Sequence, residues 1–198
     1  MIIRLIEVCR ELVTNFDSEE DWASLIEDHF LATVVGVFVS DEIVFTFRCG
    51  DGSIIEFIKD QVLESSPKFA NNAPSYPAYN VIPVMKSRGT AVPNVASPHI
   101  VQLHSLYPRS EWHGTIIATD GADDIKASRC YPGTERSVGN LQDFMLMPEM
   151  WANPESITRS LRLMNSQKII GGVKHPGILA DDTTIVMVQP HYEEVVAL

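Results

Sequence analysis

Leu31-Ala32-Thr33-Val34-Val35-Gly36-Val37-Phe38-Val39-Ser40-Asp41-Glu42-Ile43-Val44-Phe45-Thr46-Phe47 holds two β-branched and aromatic runs on either side of a short polar break. Runs of this length and composition around Asp41-Glu42 predict two antiparallel strands joined by a tight turn. Cys49-Gly50-Asp51-Gly52-Ser53 reads as a second turn, after which Ile54-Ile55-Glu56-Phe57-Ile58 can run back as a third strand. A three-strand meander is the expectation. Upstream, Ile3, Ile6, Val13 and Phe16 recur near a helical repeat with charged residues between them, and Ser18 with Asp21 forms a capping box for a second helix striped by Trp22, Leu25, Ile26 and Phe30.

Downstream, residues 59 to 98 carry Pro67, Pro74, Pro77, Pro83, Pro93 and Pro98, and are expected to be mainly loop with short strands near Val81 and Ile100. His113 to Thr119 reads as a buried strand ending at Asp120-Gly121. Pro154 to Met164 reads as a helix with proline at its start, and Thr183 to Val188 as a final strand.

With 198 residues, 45% of them hydrophobic, the chain can bury a core, and a single domain over 1–198 is expected. The formal charge of -11 would repel a phosphodiester backbone or an anionic membrane, so neither is an expected partner. The longest apolar runs fall well short of the roughly 20 residues that cross a bilayer. Met1-Ile2-Ile3-Arg4-Leu5-Ile6-Glu7 has no basic start or cleavage site of a secretory signal, and the expected location is cytoplasmic. Cys9, Cys49 and Cys130 are widely spaced without a CxxC pair, and read as reduced, mostly buried thiols.

Three aspartates stand at strand ends. Asp51 follows Phe45-Thr46-Phe47, Asp120 follows Ile116-Ile117-Ala118-Thr119, and Asp181 precedes Thr183-Thr184-Ile185-Val186. Carboxylates held by a sheet can converge, and converging carboxylates stay ionised together only when a cation offsets their repulsion. Oxygen donors of this kind suit Mg2+ or Mn2+, and such an ion lowers the pKa of a water it holds, which opens a route to phosphate-ester hydrolysis. Taken alone, Asp51-Gly52 is a turn signal and Asp181-Asp182 a solvated loop. Asp120 with Asp123 and Asp124 is harder to assign to a bare turn, because three carboxylates follow a buried strand and need partners, cations or water.

Ile117-Ala118-Thr119-Asp120-Gly121-Ala122-Asp123-Asp124-Ile125 resembles the "ATDG" segment of the type-2C, metal-dependent protein phosphatases, the PPM family. Asp181-Asp182-Thr183-Thr184-Ile185-Val186-Met187-Val188 resembles that family's closing strand. The hairpin ending in Gly50-Asp51-Gly52 resembles its Gly-Asp turn, with bacterial members the nearer match. The resemblance implies an α+β fold: an αββα sandwich of two antiparallel sheets flanked by helices, here N-terminally truncated. It also implies hydrolysis of phosphoserine or phosphothreonine with Mn2+ or Mg2+, two ions and in many members a weaker third. Asp120 and Asp181 match ligands of one catalytic metal, and Asp51 and Asp124 match carboxylates of the third.

In that family a phosphate-binding arginine and an aspartate bridging the two metals precede the first long helix, and residues 1–198 hold no counterpart of either. The expectation is that catalysis falls by orders of magnitude or vanishes. The alternatives are an inactive pseudophosphatase acting as a regulatory module, or a gene fragment. The expected partners are a phosphoprotein substrate or a regulatory protein, with a dimer or a complementing N-terminal piece as ways to cover the open sheet.

The remaining residues read blandly. None of the six histidines forms a helical i,i+4 pair, no Gly-x-Ser-x-Gly elbow is present, and Gly171-Gly172 reads as a loop. Met145, Met147, Met150 and Met164 around Trp151 read as core or flap packing, and the flap as a region that helps choose substrates.

Overall fold

Ser18 opens the first described helix, α1 (Glu19–His29), because its Oγ accepts from the Asp21 amide at 3.2 Å and donates to Asp21 Oδ2 at 2.8 Å. Trp22 and Ile26, one helical turn apart, are the buried side of α1, as the apolar stripe predicts. In the computed structural model the described residues are Arg4, Glu11, 18–69, Pro74, 76–81, 101–153, 155–179 and 181–190. The amphipathic helix expected at the start of the chain lies outside them, apart from Arg4 and Glu11, which are helical, as does the strand expected at Ile100.

The chain gathers into two compact units, one of Met1–Gly52 with Pro67–Leu106 and one of Ser53–Ser66 with Tyr107–Leu198. Both are built on antiparallel sheet, and the class is mixed α+β.

The first unit holds the expected hairpin. β1 (Val34–Val39) pairs with β2 (Ile43–Cys49) in a register from Val34↔Cys49 to Val39↔Val44. Ser40 closes the turn by donating its amide to the Ile43 carbonyl at 2.9 Å and accepting the Ile43 amide on Oγ at 3.1 Å.

The meander, however, does not form. The other edge of β2 is taken by β5 (Gln102–Pro108), giving the order β1-β2-β5, and a strand has only two edges to offer. The buried Thr46 of β2 meets Ser105 of β5 through a 2.6 Å hydroxyl pair.

β3 (Ser53–Ile58) instead lies in the second unit, inside a four-stranded sheet. All six of its residues are buried, which fits a central strand covered on both faces. Its partners are β4 (Gln61–Ser65), β6 (Trp112–Ala118) and, across β6, β9 (Ile185–Val188). β4 falls where mainly loop was expected. The Ile58↔Gln61 register leaves Lys59-Asp60 as a two-residue turn, and Lys59 takes φ 50 without being a glycine, so the usual hairpin signal is missing. Near Val81 the expected strand is a 3-10 turn, Pro77–Val81. The final strand begins its ladder at Ile185, two residues after its expected start at Thr183.

Alternation along β3 and β6 puts Ile55, Phe57, Ile116 and Ala118 on one face of the sheet. That face is covered by the short helices α2 (Asp143–Leu146) and α3 (Pro148–Ala152) and by α4 (Glu155–Asn165), through Phe144, Met145 and Met164. Met145, Met150 and Met164 of the methionine cluster are therefore core packing, with Trp151 donating Nε1–H to the Met145 carbonyl at 3.0 Å, while Met147 lies outside the core cluster. Gly171-Gly172 is the turn of a small hairpin, β7 (Lys168–Ile170) and β8 (Val173–His175), with φ 58 and φ 82. Two successive positive φ values are what a type I′ turn demands, and glycine supplies them without strain.

Of the described cysteines, Cys49 is buried but Cys130 is exposed, against the expectation of mostly buried thiols. Burial pushes the Cys49 thiol up, which lowers its thiolate fraction. Alkylation at mildly alkaline pH is expected to label Cys130 to completion and to leave Cys49 unmodified until denaturant is added. Peptide mass mapping checks this, and early labelling of Cys49 would contradict its burial.

Candidate functional site

β6 runs a buried apolar strand into Thr119, and Thr119 fastens the loop that follows to the loop that precedes β9. Its amide donates to the Thr184 carbonyl at 3.0 Å, its Oγ1 donates to the Asp182 carbonyl at 3.1 Å, and the same Oγ1 accepts the Thr184 amide at 3.0 Å. Gly121 completes the contact. A Cβ there would lie 2.6 Å from Thr183 Oγ1, 2.7 Å from the Asp182 carbonyl and 3.0 Å from the Asp181 carbonyl, so the backbones meet only because glycine has no side chain. The segments carrying Asp120 and Asp181 are thus brought together.

Asp120–Asp124 forms a 3-10 turn closed by the Ala122 amide on the Thr119 carbonyl and the Ile125 amide on the Ala122 carbonyl. Ala122 and Ile125 are buried beneath it and hold it to the core. Asp120, Asp123, Asp181 and Asp182 are exposed. Asp181 Oδ1 accepts the Asp182 amide at 2.7 Å, which shapes the loop locally. Asp124 is drawn to Arg129, whose Nη2 lies 3.2 Å from its Oδ1. Asp123, given no role from sequence, accepts from Ser53 Oγ at 3.1 Å, and Ser53 in turn pairs with Ser66 at 2.6 Å.

Asp51 belongs to the first unit. Thr33 Oγ1 donates to its Oδ1 and accepts its amide at 3.3 Å, and the Tyr76 hydroxyl stands 3.5 Å from Oδ2. Arg48 donates to the Gly52 carbonyl at 3.4 Å, and burial pulls its guanidinium pKa down from the usual value. Thr33, Thr119 and Arg129 were given no role from sequence. Only Thr119 carried a local signal, as a hydroxyl residue between a buried strand and Asp-Gly.

The donor chemistry fits a hard divalent cation, since Mg2+ is commonly held by one or two carboxylates with waters filling its shell. Asp120 and Asp181 stand on loops that are bonded to each other. Among the described residues no three His, Cys, Asp or Glu side chains converge to hold an ion. No described helix is long and apolar enough to cross a membrane. No protein-family model matches the chain, and no curated protein matches it.

Proposed function

We propose that this chain is a phosphatase-like domain of the metal-dependent Ser/Thr type, in which Asp120 and Asp181 hold Mn2+ or Mg2+. The supporting observation is the fastening of Thr119-Asp120-Gly121 to Asp181–Thr184, which joins the two sequence segments that resemble the PPM motifs. A bound divalent ion would supply charge neutralisation and a more acidic water. The chain's own part is to hold both carboxylates on loops anchored to neighbouring strands, β6 and β9, so that little reorganisation accompanies binding. The αββα sandwich, a phosphoserine or phosphothreonine protein as substrate, and a cytoplasmic setting belong to the same proposal.

A second reading, a regulatory module that binds metal without turnover, is favoured by the Asp124–Arg129 ion pair. It occupies one of the matched carboxylates with a cation the chain itself provides. Hydrolysis of p-nitrophenyl phosphate by the purified chain with Mn2+, alongside calorimetric Mn2+ titration, separates the two. Turnover that Asp120→Ala reduces by about 100-fold or more supports the enzyme, in line with the loss of a group that stabilises developing charge. Mn2+ binding that Asp120→Ala removes, without turnover in the unaltered chain, supports the regulatory module. Absence of any Mn2+ binding sinks both.

A further inference from the structure

The chain has few cations, 15 Lys+Arg against 26 Asp+Glu, and ion pairs take up some of them. Lys59 meets Glu111 at 2.9 Å and Arg129 meets Asp124 at 3.2 Å. Arg136 and Arg159 have no ion pair among the described residues, yet both line one cavity of about 380 Å3 in the second unit.

The two arginines come from different elements. The loop bearing Arg136 closes on itself through the Tyr131 amide to the Arg136 carbonyl at 3.0 Å, and the Arg136 guanidinium lies 5.4 Å from the Tyr131 ring centroid. Arg159 lies on α4 with Ser156 three positions before it and Ser160 directly after, a spacing that puts all three along one side of the helix, and all three line the cavity. Met147 and Met150 supply an apolar wall, with Val138 and Phe144 buried behind it. Glu149 also lines the cavity and offsets one of the two positive charges, leaving the lining cationic by one.

Two guanidiniums without an ion pair among the described residues, and the hydroxyls of Ser156 and Ser160, beside methionine match a ligand with an anionic head and an apolar body. We propose that this cavity is a binding site for a compact oxyanion carried on an aryl or alkyl group, a phosphoryl or carboxyl head being the shared chemistry. It contains neither Asp120 nor Asp181, so it stands or falls apart from the phosphatase reading.

The test is calorimetric titration of the full chain with phenylphosphonate and, separately, benzoate, with a chelator present so that no divalent ion contributes. Saturable binding is expected, weakened about tenfold or more by Arg159→Ala and by Arg136→Ala, as suits the loss of hydrogen bonds to a charged group. Glu149→Gln is expected to tighten it. Preference between the two probes identifies the head group. Both arginines are exposed, and an unchanged unfolding midpoint verifies that the variants fold. Equal affinity in both arginine variants, no saturable binding of either probe, or equal affinity for neutral benzyl alcohol would overturn the proposal.

Discussion

Replacing Phe144 by alanine is expected to remove about 3–5 kcal/mol from the stability of the second unit, the range for truncating a fully enclosed aromatic side chain. Phe144 is 1% exposed and packs in the cluster that includes Ile55 and Ile116 of the sheet and Met164 of α4. Its helix, α2, is only four residues long, too short to stand by propensity, so the burial of this ring is what fixes it. The local bonds around it, Asn140 N–H to Asp143 Oδ2 at 2.8 Å and Phe144 N–H to the Leu141 carbonyl at 3.2 Å, orient the turn but cannot replace the buried surface. Urea unfolding followed by tryptophan fluorescence checks the prediction, because Trp151 is bonded to the neighbouring Met145 carbonyl. The midpoint should fall with the slope unchanged. A loss under about 1 kcal/mol would mean that the cavity collapses freely or that the ring is not enclosed.

Gly121→Val is expected to be nearly as damaging and more specific. Its Cβ would sit within 3.0 Å of two backbone carbonyls, those of Asp181 and Asp182, and of Thr183 Oγ1. Carbonyls of a loop already bonded to Thr119 cannot swing aside as a flexible side chain can, so the two loops must part. Overpacking of this kind costs about 1–3 kcal/mol. Separation of the loops should also abolish any rise in melting temperature on adding Mn2+, a rise that follows whenever an ion binds the folded chain alone. Comparing the Mn2+-induced shift in the unaltered chain and the variant measures both effects. A full shift retained in Gly121→Val would show that Asp120 and Asp181 do not share an ion.

How much could be read before folding differs sharply between kinds of feature. The hairpin, the Ser18 cap, the buried strand into Asp120 and the helix at Glu155–Asn165 are legible because each depends on residues within a turn or two of one another. The placement of β3 is not, since Ile54 to Ile58 is equally apolar whichever sheet receives it. The choice is made by β5 occupying the free edge of β2 from far along the chain. Lys59 hid a hairpin by adopting a backbone conformation that sequence reasoning reserves for glycine or asparagine. In the candidate site the carboxylates were legible as residue types at strand ends. The bonds from Thr119 to Asp182 and Thr184 arise only from three-dimensional proximity, whereas the capture of Asp124 by Arg129 is a local contact five residues apart.

The pairing of β6 with β9, Ala118 against Ile185, also sets an order of events during synthesis. A ladder between strands so distant in sequence closes only after the intervening helices have emerged from the ribosome, and closure of so long a loop carries an entropic cost before any contact offsets it. Until β9 docks, β6 presents an unpaired edge and the Asp120 turn has no Asp181 beside it. A nascent chain stalled before Thr183 would therefore hold most of the second unit's core while exposing a sticky strand. Chaperone contact during translation would be concentrated on that edge, and its release would coincide with assembly of the candidate site.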